Sequence, residues 1–218
     1  MKHSHRVYDA VKRVLDVVAS AVLLIVLSPL LLIVALGVRL TLGSPVLFVQ
    51  QRPGRNGRLF TIRKFRTMTT TSAPAGDVEA VSTDAVRLTR LGRFLRSTSI
   101  DELPELWNVL VGDMSIVGPR PLLTEYLDRY SPEQARRHEI RPGITGWAQV
   151  NGRNAVDWPD RLAMDVWYVD RRSLLLDLRI LGMTVVAAFK RTGISADGHA
   201  TMEPFDPDSP AHPEEDGL

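Results

Sequence analysis

The chain has 218 residues, 27 Lys and Arg against 25 Asp and Glu, and no cysteine. That length allows one domain of ordinary size with an accessory element, and the missing thiols exclude disulfides and thiolate metal sites while leaving the redox compartment open. The net charge of +2 conceals an asymmetry: from Ala196 onward there are seven acidic residues and no Lys or Arg, so the preceding body carries 27 basic against 18 acidic side chains. A basic body calls for an anionic partner, whether membrane surface, nucleic acid or phosphorylated substrate.

The N-terminus (Lys2, Arg6, Lys12, Arg13) leads into an uncharged apolar run from Val17 to Val38. Roughly 20 apolar residues suffice to span a bilayer as a helix. A cleaved signal peptide has a shorter apolar core followed by small residues, whereas Arg39-Leu40-Thr41-Leu42 follows here. A simple spanning helix is the stronger alternative, and two features oppose it. Ser28-Pro29 interrupts the run near its middle, where proline deletes a helical hydrogen bond. Both flanks are also basic, with Arg39, Arg52, Arg55 and Arg58 on the far side, whereas a spanning helix has one rich and one poor side. The expectation is therefore a re-entrant hairpin that breaks at Ser28 and Pro29 and keeps both ends cytoplasmic, with Asp16 paired to Lys12 or Arg13 at helical spacing.

Val46-Leu47-Phe48-Val49 and Leu59-Phe60-Thr61-Ile62 flank the turn-rich Arg52-Pro53-Gly54-Arg55-Asn56-Gly57, which predicts a β-hairpin. It ends in Lys64-Phe65-Arg66-Thr67-Met68, two cations beside an aromatic, whose plain reading is a solvated strand end. Residues Thr69 to Thr83 are small, polar and expected as loop. Arg87, Arg90, Arg93 and Arg96 then recur every three residues beside Leu88, Leu91 and Leu95. That pattern predicts a basic amphipathic helix, suited to anionic lipid, to phosphates or to plain solvation.

The chemistry concentrates in Arg96 to Pro121. Asp101 reads as an N-cap, Glu102 as a first-turn residue and Pro104 as a position whose missing N–H costs nothing. Leu103, Leu106, Trp107 and Leu110 supply an apolar face at spacings of three and four. Capping is the ordinary role for such a pair. Here arginines stand on both sides of a helix start that would itself attract phosphate, and an acidic turn (Gly112-Asp113-Met114-Ser115) and a basic corner (Gly118-Pro119-Arg120-Pro121) follow.

Leu122 to Tyr130 reads as a helix, and Ser131-Pro132-Glu133 opens another by cap and N1 proline. Arg141 to Trp147 is turn-forming. It leads into Ala148-Gln149-Val150-Asn151-Gly152-Arg153-Asn154, where amides beside Arg153 suit a uracil, a sugar hydroxyl or a phosphate, and Asn151-Gly152 favours a tight turn. Asp165 to Asp170 and Leu174 to Lys190 look helical, and the acidic, proline-rich end from Phe205 has too little apolar content to fold alone. No internal repeat, GxGxxG, P-loop or HxxxH pattern is present.

These motifs together resemble the bacterial sugar transferase family, the monotopic phosphoglycosyl transferases. The likeness runs from Lys12-Arg13 and Asp16 through Ser28-Pro29, Gln51-Arg52-Pro53-Gly54, Lys64 to Met68, Arg96 with Asp101-Glu102, Gly112 to Ser115 and Gly118 to Pro121. It continues through Arg141 to Val150 as far as Gly198-His199 and Phe205, and so covers nearly the whole chain. The chain looks like the minimal form of the family, and its Asn151 to Asn154 and Gly198-His199 segments are most similar to small transferases of N-linked glycan assembly that use acetamido sugars.

The resemblance implies transfer of a sugar 1-phosphate from a UDP-sugar to polyprenyl phosphate with Mg²⁺, through a covalent phosphosugar–aspartate intermediate. By motif position Asp101 would be the nucleophile and Glu102 its metal-binding or acid–base neighbour, with the metal on Asp101 and Glu102. Lys64, Arg96, Arg120 and Arg153 would contact phosphate and nucleotide. An acetamido sugar is expected, with glucose or galactose as the alternative.

The fold expected is α+β and mainly helical: a membrane hairpin over 1–43, a small cytoplasmic catalytic domain over 44–205 with a β-hairpin and interfacial amphipathic helices, and a flexible acidic tail over 206–218. The expected location is the bacterial inner membrane, with the catalytic domain on its cytoplasmic face and membrane lipid as a partner; downstream glycosyltransferases and a second copy of the chain are open partners. A membrane-tethered scaffold for glycan assembly is the rival function, though it gives no reason for paired carboxylates among arginines. A nucleic-acid module is not expected, because the arginines lack interleaved surface aromatics.

Overall fold

Helix α1 (Lys2–Val26) and helix α2 (Ser28–Leu42) are separated by one residue and bent by 63°. The cause lies in two side chains. Pro29 has no N–H to give the carbonyl of Ile25 one turn back, and the Ser28 hydroxyl donates to that carbonyl instead, at 2.7 Å. Hydrogen bonds from Leu27 N to Leu23 O and from Leu31 N to Leu27 O persist on either side, so the chain bends without unravelling. In this computed structural model the described residues are 2–69, 87–151 and 156–190. Among them no single helix is long and apolar enough to cross a membrane, but the bent pair passes that test jointly.

Both arms of the pair return to the same body. Val34 and Val38 of α2 are buried against Phe65 and Leu95. Near the start of α1, Lys12 Nζ lies 2.7 Å from Asp177 and the Tyr8 hydroxyl donates to the same carboxylate at 2.8 Å. Arg13 donates to the carbonyls of Val109 and Leu110. Asp16 accepts from the backbone N–H of Ile116 at 3.1 Å. The expected pairing of Asp16 with Lys12 or Arg13 is therefore corrected: those cations are drawn off by tertiary partners, and a backbone donor takes their place. Between the docked ends, Val18, Val22, Ile25, Leu32, Ile33 and Leu36 stay exposed.

The predicted hairpin forms from β1 (Leu47–Pro53) and β2 (Leu59–Phe65), antiparallel in the register Leu47↔Phe65 to Pro53↔Leu59. Its inner face supplies Phe60 and Ile62, which pack on Val109 and Met114. The strand end is not solvated. Lys64 is drawn into ion pairs, and Arg66, 6% exposed, donates to the carbonyls of Leu42 and Ser44 and so caps the end of α2. Fifteen residues of apolar helix thereby end on a buried cation.

Three further elements depart from expectation. The basic helix begins only at Arg90, because Leu88 pairs with Met68 in an antiparallel bridge and Thr89 caps the turn by accepting from Gly92 N. Arg141 to Trp147 contains β4 (Gly143–Thr145), parallel to β3 (Ser115–Val117). A Cβ on Gly143 would lie 2.1 Å from Gly118 N, and one on Gly146 would lie 2.2 Å from Gly118 O, so the backbones meet only because side chains are missing. Leu122 to Tyr130 is a 3-10 turn over Thr124–Arg129 rather than an α-helix, whereas Ser131 forms the predicted cap with a full capping box on Gln134. Helices over Trp158–Arg171 and Leu174–Lys190 close the fold, with Val117, Tyr168 and Ile180 buried together. The architecture is α+β and mainly helical, as expected. Asn151 ends a helix over Trp147–Asn151, while its partner Gly152, the candidate contact Arg153, most of the 69–83 loop, Gly198-His199, Phe205 and the 206–218 tail lie outside the described residues.

Candidate active site

The Arg90–Ser97 helix lies against Thr67 so closely that a Cβ on Gly92 would stand 2.0 Å from Thr67 O. The contact brings Arg96 Nε within 3.1 Å of the Thr67 hydroxyl. After the helix, Ser99 takes φ 56°, a left-handed conformation that costs a non-glycine residue about 1–3 kcal/mol. That reversal turns the chain inward. Asp101 and Glu102 consequently sit on a 3-10 turn over Ile100–Glu102, and the α-helix starts at Glu105. The expectation that Asp101 caps a helix is therefore corrected: Pro104 occupies the N-cap, and no side chain caps it. Pro104 gives the physical reason: it has no N–H to donate back toward Ile100, so the turn over Ile100–Glu102, bonded from Glu102 N to Ser99 O and from Leu103 N to Ile100 O, does not continue as the α-helix.

Glu102 is clamped. Its Oε1 accepts from Lys64 Nζ at 2.6 Å and from Arg120 at 2.7 Å. Burial pushes this carboxyl up, but Arg120 and Lys64 outweigh it and leave the group well below the usual range. Asp101, 9% exposed, has no ion pair or hydrogen bond on its carboxylate among the described residues. Burial, then the neighbouring charge of Glu102, raises it to about 6, against the pull of Lys64, Arg96 and Arg120. Lys64, Arg96, Arg120, Asp101 and Glu102 thus come together, with Lys64 and Arg120 turned to Glu102.

Sequence reasoning missed Glu105. It is 2% exposed, its Oε1 lies 3.0 Å from Lys64 Nζ without a hydrogen bond, and burial raises its carboxyl to about 7. A glutamate near a helix start reads as an ordinary helix former, so nothing local singled it out. Asn108 was missed as well. Fully buried, it accepts from Arg63 N and donates to Thr61 O and to Asp113 Oδ2, and so bolts the helix onto β2. The acidic turn is therefore structural: Gly112 closes the helix at φ 100°, and Asp113 holds Asn108.

Behind Arg120 lies a second buried pair. Arg137, 3% exposed, meets Asp165 at 2.7 Å and donates to the carbonyl of Arg120 at the same distance. Among the described residues no three His, Cys, Asp or Glu side chains are grouped to hold a metal unaided. Adjacent Asp101 and Glu102 still fit Mg²⁺, which takes one or two carboxylates and completes its shell with substrate phosphate and water.

The arrangement offers an untethered carboxylate beside a clamped one, ringed by cations: a site for attack on a phosphorylated substrate. Residues 7–191 match the family model described as bacterial sugar transferase. The chain is 52% identical over 194 residues to an uncharacterised sugar transferase of Bacillus subtilis, covering 89% of this chain and 95% of that one. It is 48% identical over 185 residues to a UDP-glucose:undecaprenyl-phosphate glucose-1-phosphate transferase of Caulobacter vibrioides, covering 81% of this chain and 69% of that protein. An undecaprenyl-phosphate galactose phosphotransferase of Salmonella typhimurium is 40% identical over 197 residues, where the match covers 84% of this chain but 41% of that protein.

Proposed function

The chain belongs to the bacterial sugar transferase family, and from that premise we propose that it moves a sugar 1-phosphate from a UDP-sugar to undecaprenyl phosphate and releases UMP. Relatives named for glucose and galactose transfer favour those two sugars; an acetamido sugar remains the competing donor from the resemblance of the Asn151 to Asn154 segment. The observation that carries the reading is the asymmetry of the acidic pair: Asp101 is untethered while Glu102 is held by two cations.

Asp101 acts as the nucleophile. One of its carboxyl oxygens bonds to the sugar-bearing phosphorus, and the bond from that phosphorus to the bridging oxygen breaks as UMP leaves. A phosphate oxygen of the lipid carrier then attacks the same phosphorus and frees the carboxylate. Carboxylate and pyrophosphate repel by about 4 kcal/mol per charge pair at 4 Å and an effective dielectric near 20. Lys64, Arg96 and Arg120 offset that repulsion. Mg²⁺, bound by Asp101 and Glu102 together with substrate phosphate, would supply further charge neutralisation at the transferring group. Asp101 sits on the turn before the helix, so no helix start stabilises its anion. Instead, a carboxyl titrating near 6 is mostly ionised at pH 7 and poorly stabilised as an anion, which favours attack.

The carrier's phosphate lies at the membrane interface, so the site belongs there too. The re-entrant reading is supported by the docking of both arms on one body, since a spanning helix would separate its ends by about 30 Å of hydrocarbon. On this reading the catalytic domain faces the cytoplasm at the bacterial inner membrane. Asp101→Asn should lower transfer at least a thousandfold while the protein stays folded and membrane-bound, and labelled donor should leave no adduct on it. Near-normal turnover of that variant would remove the nucleophile assignment.

A further inference from the structure

Away from the acidic pair, a small cleft, partly open to solvent, lies between α1, β3 and the hairpin turn. Lys12, Arg13, Arg55, Arg141 and Arg172 line it against Asp9 and Asp16, and it shares no residue with the Lys64–Glu102–Arg120 cluster. Lys12 and Arg172 are spoken for, paired to Asp177 and Asp9. The other three are not. Arg13 donates only to the carbonyls of Val109 and Leu110. Arg141 donates from Nε to the carbonyl of Gly112 at 2.8 Å. Arg55, on the exposed turn over Arg55–Gly57, makes no side-chain hydrogen bond or ion pair among the described residues.

Three guanidinium groups gathered around one cleft without a carboxylate ion pair repel one another. Burial, then Arg13 and Arg55, depress the Arg141 pKa, with Asp16 and Asp9 opposing. Neutral carbonyls fix the arginines in place but leave their charge unmet. Asp16 makes no ion pair with any of them among the described residues, and the five cations of the lining outnumber its two carboxylates, Asp9 and Asp16. Guanidinium groups lining one cleft suit the oxygens of a phosphate.

We propose that this cleft is a second phosphate-binding seat, in which Arg13, Arg55 and Arg141 hold a phosphate group separate from the one handled at Asp101. The site sits on α1 just before its apolar run begins at Val17, so an anionic phospholipid headgroup and a soluble phosphate are the two sources of that chemistry. The seat does not depend on the transferase reading; only the lipid source rests on membrane insertion of α1.

The full chain in nanodiscs of phosphatidylcholine, with and without phosphatidylglycerol, is analysed by native mass spectrometry for retained lipid. In detergent the same chain is titrated with inorganic phosphate and followed by thermal unfolding. Arg55 is exposed and unpaired, so Arg55→Glu leaves the fold intact; Arg120→Gln serves as the control for phosphate bound near Asp101. The expected result is a roughly tenfold weaker hold on one probe in Arg55→Glu, the scale of one lost charge-assisted contact, with Arg120→Gln retaining it. Loss of retained phosphatidylglycerol assigns the seat to a lipid, and loss of the phosphate-induced shift assigns it to a soluble anion. Equal binding of both probes by wild type and Arg55→Glu, or binding of neither by wild type, overturns the proposal.

Discussion

Lys64 faces two glutamates with a single ammonium group, 2.6 Å from Glu102 and 3.0 Å from Glu105. One cation cannot hold both ionised in a buried setting, so Glu102, which also has Arg120, stays charged while Glu105 moves toward neutrality. The pair Asp101-Glu102 was legible from adjacency and surrounding arginines. Glu105 was not, because only its neighbours across the fold make it unusual. His138 shows the same dependence on surroundings. Burial, then Arg137, lowers its pKa from 6.5 to about 4, against a hydrogen bond with the Gly54 backbone. The unfolded chain therefore binds the proton more tightly, and stability falls as pH drops from about 6.5 toward 4. The full effect is about 3 kcal/mol at most. Asp101 contributes with the opposite sign, so the test is a difference: His138→Gln should lose less stability than wild type between pH 7 and 4 in denaturant titrations. Parallel curves would show that the imidazole is not excluded from protonation.

At the scale of elements, the break between α1 and α2 was legible because proline's missing donor is a covalent fact. The compensating bond from Ser28 to Ile25 O was not, yet it satisfies the carbonyl that proline's missing N–H leaves without its helical donor. Ser28→Ala with Pro29→Ala removes the hydroxyl and restores the N–H, so Ile25 O regains a helical partner and the bend loses its cause. On the proposed re-entrant reading, the double variant is expected to straighten and to carry the segment after Leu42 to the other membrane face. A single Ser44→Cys, in a chain that has no cysteine, reports the side by accessibility to an impermeant reagent; a cytoplasmic label would discount the break as the cause of re-entry. Short elements were the least readable. β4 has three residues, too few for alternation to register, and it exists because Gly143 and Gly118 let two backbones meet.

Across the whole molecule, Asp177 gathers distant segments. Its carboxylate receives Lys12 and Tyr8 from α1 and the Tyr168 hydroxyl from the Trp158–Arg171 helix. Lys12 and Asp177 are 165 positions apart, so this cluster closes nearly the full length of the described chain and locks α1 to the body. Breaking a buried pair by removing one partner strands the other charge. Asp177→Ala should cost about 3–5 kcal/mol in chemical denaturation, and Lys12→Met with Asp177→Leu should recover most of that loss. Equal instability in both variants would mean that packing, not the stranded lysine, sets the cost.

The chain's covalent order already specified the bent apolar hairpin, the β-hairpin and the acidic pair among arginines, because proline geometry, turn residues and charge are local properties that need no partner. It could not say which carboxylate would be clamped, where Asp16 would find its donor, or that Glu105 and Asn108 belong to the site. Those outcomes depend on contacts between residues tens of positions apart, and such contacts exist only once burial has removed the water that would otherwise satisfy each group alone.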